Sequence, residues 1–278
     1  MSARPDPARG AADAPAVVCL HSSASSPRQW NALVQALPAR RVLAPELIGY
    51  GGTPDWSYEQ PLSLDDEARR IEPLIAAEPG GVHLVGHSFG GAVALRLAVR
   101  NPQRVLSVSV YEPVLFVLLN ELAGEFGMPV PEALEITSVR IAIRRAVYSD
   151  RSAHAAKLFV EYWSGVGAWD ALDARRQAAV TARMRKVDAE FDAAFYNAMP
   201  LAAYARLAMP VQLLWGEHTR RPTRLITDLL GRVVPDVARR ELRGAAHLGP
   251  ITHAAEVNAA IAGFLDAQRA RAPLAQAA

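Results

Sequence analysis

Five residues constrain this chain more than any others: Gly86-His87-Ser88-Phe89-Gly90. An apolar run, Val82 to Val85, leads into them, and a stretch of helical character, Gly90 to Arg100, leads out. A serine exposed on a tight turn between a strand and a helix needs small residues two places before and two places after it. The helix start then sets free N–H groups and the positive end of the helix dipole beside the hydroxyl. The pattern asks for a strand–turn–helix unit that offers Ser88 as a nucleophile.

The rest of the chain supplies that setting. Val17–Leu20, Val42–Ala44, Val82–Val85, Val105–Tyr111, Val211–Trp215 and Ala238–Leu242 read as short strands. Most are continuous apolar runs, as expected of strands buried on both faces. Helical spacing lies between them, over Pro27–Leu37 (with Trp30, Leu33, Val34 and Leu37 on one side), Leu64–Ala77, Gly90–Arg100, Arg224–Leu230 and His253–Ala267. Ser63 stands as a cap for the second of these, with Glu67 four residues on. Alternation at this spacing predicts an α/β fold, a doubly wound and mostly parallel sheet of about six strands. The rhythm breaks between Leu115 and Tyr204, where helical patterns such as Ser152–Trp163 and Ala171–Arg185 replace strands, and then resumes. The reading is an α/β core over 16–114 and 205–267, a helical cap inserted over 115–204, a flexible leader over 1–15 and a flexible tail over 268–278.

Composition excludes some partners. The 278 residues carry 30 Lys and Arg against 28 Asp and Glu, a formal net charge of +2, and the basic residues are dispersed. A nucleic-acid footprint needs them clustered, so no nucleic-acid partner is expected. The single cysteine, Cys19, rules out an internal disulfide and an all-cysteine metal site. No apolar run reaches the length of a membrane span, and the first fifteen residues lack the apolar core of a secretory signal, so a cytoplasmic protein is expected.

Four stretches now stand in order: Leu20-His21-Ser22-Ser23 ahead of Trp30; Ala44-Pro45-Glu46 through Gly49-Tyr50-Gly51; Val85-Gly86-His87-Ser88-Phe89-Gly90-Gly91; and Gly244-Ala245-Ala246-His247. In this order they resemble the α/β-hydrolase fold family with a helical cap, over about residues 16–267. The resemblance implies serine hydrolase chemistry with no cofactor and no metal. It also exposes departures. Only about fifteen residues precede the first strand, so the two antiparallel strands that open the family's sheet are expected to be missing or vestigial. The family's usual His-Gly pair reads His21-Ser22, and Glu46 replaces a usual Asp, where it is expected to hold a loop by hydrogen bonds.

The resemblance also assigns roles. Among seven histidines, His247 matches the family's general base, in a loop of small residues that lets the imidazole reach Ser88. His21 and His87 fall in motif positions of structural or pocket-edge character. The acid is open between two carboxylates. The family's common site follows the strand Val211–Trp215, but the expected Asp position there holds Thr219, with Glu217 nearby. The other known site ends the preceding strand, where Glu112 stands before Pro113. Glu112 is preferred and Glu217 is the alternative, with Pro113 expected to hold Glu112 extended. Backbone N–H groups of Phe89 and Ser23 are the expected oxyanion donors.

In the insertion, Trp163 and Trp169, with Tyr162, suit either a pocket lining or the cap's own core. His21 is a further candidate at the pocket. A cap implies a small-molecule substrate. The function expected is cleavage of a small carboxylic ester, lactone or thioester. C–C bond hydrolysis, acyl transfer and a non-catalytic binding role are the alternatives. Dehalogenation and epoxide hydrolysis are disfavoured, because family members with those activities carry Asp where this chain has Ser88.

Overall fold

The computed structural model describes residues 15–196 and 199–271. The leader residues 1–14 and the last seven tail residues lie outside it. Six strands form the sheet: β1 Ala16–Leu20, β2 Val42–Leu43, β3 Val82–His87, β4 Val105–Tyr111, β5 Val211–Gly216 and β6 Val237–Leu242. Their order is β2-β1-β3-β4-β5-β6, and every pairing is parallel. All six strands read from the sequence are present, each within about two residues of the expected bounds.

The helices are α1 Asn31–Ala36, α2 Leu64–Ala76, α3 Phe89–Arg100, α4 Val117–Phe126, α5 Pro131–Tyr148, α6 Ser152–Ser164, α7 Ala174–Thr181, α8 Met184–Tyr196, α9 Leu201–Tyr204, α10 Arg221–Val233, α11 Gly249–Thr252 and α12 Ala254–Arg271. Pleat alternation splits the strand residues between the two faces of the sheet. Val17, Cys19, Val85, Tyr111 and Leu214 pack with Leu33 of α1 and Val257, Ile261 and Leu265 of α12. Val18, Leu20, Leu84, Val108, Val110 and Leu213 pack with α2, α3 and α10 on the other side, and that core continues into the helices between β4 and β5. The sheet is therefore covered on both faces.

Several local expectations are corrected. The helix expected over Pro27–Leu37 is a 3-10 turn, Pro27–Trp30, followed by α1, and Val34 stands 38 % exposed. Ser63 does cap α2, but the reciprocal partner is Asp66, which takes the Ser63 N–H at 2.9 Å. That frees Glu67 to turn inward, where it is fully buried. The helix expected over Ala171–Arg185 is two helices. Asp173 accepts the Arg176 N–H at 2.8 Å and starts α7, which buries none of its residues. A new axis begins at Met184 because Met184, Val187, Phe191 and Ala194 must face the core. The final helix begins at Ala254, one residue after His253, and continues through Arg271, so the expected tail start at 268 lies within it.

The sheet order places the site. β1 is followed outward by β2, while β3 returns on the other side of β1, so the chain reverses direction between β1 and β3. Crevices at such switch points open at the carboxyl ends of the strands. Leu20 is in register with Gly86, so the loop after β1, with Ser23, and the turn after β3, with Ser88, leave the sheet side by side.

Candidate active site

Ser88 has φ +56° and ψ −118°, a conformation that costs a non-glycine residue on the order of 1–3 kcal/mol. The two glycines make it possible. A Cβ on Gly90 would stand 2.4 Å from the carbonyl oxygens of Leu20 and His21, and one on Gly86 would stand 2.5 Å from the Gly90 carbonyl. The Ser88 N–H donates to the Tyr111 carbonyl at 3.0 Å, and its carbonyl accepts from Ala92 at 3.1 Å. The turn is thus tied to the next strand and to the first turn of α3.

His247 reaches Ser88 from the loop after β6. Its Nε2 lies 3.0 Å from Ser88 Oγ, and its Nδ1 lies 2.7 Å from Glu112 Oε2. Three contacts hold that loop: His87 Nε2 donates to the His247 carbonyl at 2.8 Å, the Tyr111 hydroxyl to the Ala246 carbonyl at 2.7 Å, and the His218 N–H to the Ala245 carbonyl at 2.8 Å. Burial holds the His87 imidazole well below its usual pKa, so it serves here as a neutral strut.

Glu112 is fully buried. The expected extended backbone is not observed: φ is +44°. Its N–H donates to the Leu214 carbonyl at 2.9 Å, and this closure at the strand end overrides the bias from Pro113. Oε1 accepts the Gly216 N–H at 3.0 Å and a short hydrogen bond from the Thr219 hydroxyl, while the Thr223 hydroxyl donates to Oε2 at 3.4 Å. Thr219, at the position where an Asp was expected, therefore serves the carboxylate that comes from the neighbouring strand. Glu217 points elsewhere, taking the Gly244 N–H at 2.8 Å.

Ser23 and Phe89 line the space beside Ser88. The N–H of Phe89, first residue of α3, is among those that a helix cannot satisfy internally. The Ser22–Ser25 turn is anchored by Gln29, whose Oε1 accepts from the Ser22 N–H at 3.2 Å and from its hydroxyl at 3.0 Å, and by the Tyr50 hydroxyl, which accepts the Ala24 N–H at 2.9 Å. Gln29, seven residues after Ser22, stands in no motif that would mark this role in the sequence.

His21 lies behind this turn. Its Nδ1 donates to the Ser22 carbonyl at 2.9 Å and its Nε2 accepts from the Leu47 N–H at 3.3 Å. Burial lowers its pKa to about 4, so the ring is neutral and bears on the site through the backbone. The loop-holding hydrogen bond expected of Glu46 is not seen at its buried Oε2, which makes none among the described residues and lies 3.6 Å from His21 Nε2.

Two chambers meet at Ser88. The outer has an empty volume of about 860 Å³ and is walled by Phe159, Val160, Leu172, Val180 and His247 among others. The inner, about 270 Å³, is walled by Val114, Phe116, Val187, Glu190 and Phe191. Ser23, Ser88, Phe159 and Trp163 border both. Trp163 stacks on the His247 ring. Trp169 joins the core around α6 and borders neither chamber. The Tyr162 hydroxyl donates to Glu135 at 2.9 Å, away from Ser88. Among the described residues, no cluster of three or more His, Cys, Asp or Glu side chains could hold a metal, and no helix is long and apolar enough to cross a membrane.

Comparison with known proteins agrees with this architecture. Residues 17–260 match the model of the alpha/beta hydrolase family. Lipase LipV of Mycobacterium tuberculosis is 33 % identical over 100 residues, 36 % of this chain and 37 % of its own length. A haloalkane dehalogenase of Mesorhizobium japonicum is 37 % identical over 105 residues, 36 % of this chain and 33 % of its own. The matched segment thus spans about a third of these relatives. Among solved structures, the enol-lactonase of Burkholderia xenovorans superposes with a TM-score of 0.72 at 17 % identity, covering 91 % of this chain and 92 % of that one. Carboxylesterase CesB of Bacillus subtilis gives 0.65 at 19 %, covering 91 % and 84 %. With its six-stranded parallel sheet, inserted helices and seryl elbow, the chain belongs to the alpha/beta hydrolase family.

Proposed function

We propose that this protein hydrolyses small carboxylic esters, lactones or thioesters through a covalent acyl-enzyme on Ser88. One observation carries the reading: an unbroken hydrogen-bonded line from Ser88 Oγ to His247 Nε2 at 3.0 Å and from His247 Nδ1 to Glu112 Oε2 at 2.7 Å. Glu112 accepts a hydrogen bond from the Nδ1–H, which leaves the Nε2 lone pair facing the serine hydroxyl. Ser88 Oγ attacks the carbonyl carbon as its proton passes to Nε2. The imidazolium is held by the buried Glu112 carboxylate, and the oxyanion by the N–H groups of Phe89 and Ser23. The imidazolium then gives its proton to the departing oxygen or sulfur. Water, deprotonated by the same nitrogen, attacks the acyl-enzyme, and the proton passes on to Ser88 Oγ as the acid departs.

The two chambers divide the substrate. His247 borders the outer chamber and not the inner. The leaving group must take its proton from His247, so it occupies the outer chamber, and the acyl chain turns into the inner one. Ser88 also argues against halide displacement despite the dehalogenase likeness. A serine oxygen that displaced halide from a saturated carbon would form an ether, which this machinery has no means to hydrolyse.

The test is release of p-nitrophenol from short-chain esters together with labelling by a fluorophosphonate. Wild type is expected to turn over and to label at Ser88. Ser88→Ala is expected to lose both, with activity down by at least about 10⁴-fold, at unchanged Tm. Wild-type turnover in Ser88→Ala would overturn the reading.

A further inference from the structure

The inner chamber has one polar feature that the ester-cleaving machinery does not use. Glu190, on α8, is 2 % exposed, and the polar groups beside its carboxyl are the hydroxyls of Ser23 and Tyr50, neither of which makes a close hydrogen bond to it. Apart from Ser23 and Ser88, the chamber around it is apolar, with Val114, Phe116, Phe159, Val187 and Phe191 in its wall. Its nearest charge is Lys186, whose Nζ stands 3.5 Å from Oε1. That ammonium is already engaged: it donates to Glu67 on α2 at 2.8 Å, and the other oxygen of Glu67 accepts the Ile48 N–H at 3.0 Å. One cation therefore serves two buried carboxylates, and Glu67 is the satisfied one. A buried carboxyl without partners is destabilising, and such groups collect where a ligand completes them. Burial also pushes the Glu190 pKa above the usual carboxylate range.

The ligand chemistry follows from the surroundings. The unfilled positions on Glu190 call for a hydrogen-bond donor. An ammonium group would have to give up its water in an apolar chamber, and a carboxylate would meet the negative charge of Glu190 itself. A neutral hydroxyl escapes both, and it can pair with the carboxyl in either protonation state. The empty space of this chamber, about 270 Å³, suits a short acyl chain that carries one small polar group. We propose that Glu190 is a specificity-determining residue that takes a hydrogen bond from a hydroxyl on the acyl chain, so that esters of short hydroxy acids are preferred over their unsubstituted counterparts. This rests on the assignment of Ser88 as nucleophile and of the inner chamber to the acyl group.

The experiment compares kcat/KM for phenyl esters of glycolic, 3-hydroxypropionic and 3-hydroxybutyric acids with those of acetic, propionic and butyric acids. Each value is divided by the ester's rate with hydroxide to remove intrinsic reactivity. In the wild type, at least one hydroxy ester is expected to exceed its counterpart by about tenfold to a hundredfold. Glu190→Leu is expected to bring that ratio to one or below. Glu190→Gln keeps a carbonyl acceptor of the same shape and is expected to retain a severalfold preference. A wild type with no hydroxyl preference overturns the proposal without any variant, as does a preference equal in wild type and Glu190→Gln and undiminished in Glu190→Leu. Failure of the two readings is distinguishable. Plain-ester turnover that persists in Ser88→Ala sinks the nucleophile assignment, whereas Ser88-dependent turnover with no hydroxyl preference sinks only the role of Glu190.

Discussion

The indole of Trp163 lies against the imidazole of His247, with ring centroids 3.8 Å apart and planes 25° from parallel. Trp163 belongs to α6, between β4 and β5, and His247 to the loop after β6. The contact lays an apolar wall on the ring that the proposed mechanism uses to move protons, and it leaves His247 only 3 % exposed.

Replacing Trp163 should therefore alter chemistry and selectivity together. Trp163→Leu is expected to lower kcat for p-nitrophenyl acetate about tenfold, through loss of the stacking surface, and to shift chain-length preference. Trp169→Leu is expected to lower Tm by several degrees through the cavity it leaves without shifting that preference. Steady-state kinetics across acyl lengths and thermal melts decide the matter, and identical chain-length profiles in wild type and Trp163→Leu would contradict the expectation.

Glu112→Gln is expected to lower kcat far more than Glu217→Gln, approaching the roughly 10⁴-fold loss seen when a triad acid is neutralised in a serine protease. Gln preserves shape, but it cannot stabilise an imidazolium, and its NH₂ would meet the Gly216 N–H and the Thr219 hydroxyl as a third donor. Glu217→Gln keeps an acceptor for the Gly244 N–H and is expected to stay within about twofold. Equal losses in the two variants would return the acid role to contention.

Gly90→Ala is expected to abolish fluorophosphonate labelling and to destabilise the fold by about 3 kcal/mol or more. Its methyl would stand 2.4 Å from two main-chain oxygens, which cannot give way as a side chain can. Gly263→Ala, in α12 with open space around the added carbon, is expected to raise stability by up to about 1 kcal/mol. Chemical denaturation measures both, and a Gly90→Ala protein as stable as wild type would mean that the elbow tolerates more than its packing allows.

Acid should destabilise the protein as its buried histidines are drawn into protonation. Burial lowers the pKa of His21 and His83 to about 4, and holds that of His87 well below its usual value. The unfolded chain binds the His21 and His83 protons near pH 6.5 and the folded chain only near pH 4. Their contribution is therefore complete above pH 6.5 and falls as pH drops toward 4, by about 1.4 kcal/mol per pH unit for each histidine. His83 touches no reacting atom; its Nδ1 pairs with the Ser107 hydroxyl at 2.8 Å. His83→Gln is expected to flatten the slope by one histidine's share, as measured by urea unfolding between pH 4 and 7. An unchanged slope would show that His83 is protonated alike in both states.

Much of the fold was legible because its signals are local. Strands buried on both faces are written as apolar runs, and the elbow as two glycines that sterics demand. The parallel sheet and the turn carrying Ser88 followed from those, and the family resemblance pointed to the loop carrying His247. Where two local rules competed, the outcome depended on neighbours: Pro113 argued for an extended Glu112, but a main-chain bond to Leu214 on the adjacent strand turned φ positive. Only the tertiary structure brought Thr219 and Gly216 onto the Glu112 carboxylate, set Trp163 rather than Trp169 against His247, and buried Glu190 beside the inner chamber with Lys186 shared between it and Glu67. Each of these contacts joins segments far apart in the chain, and their distances depend on how the inserted helices close over the sheet. A short-range pattern of dihedral preference and hydrophobic period carries no information about that closure.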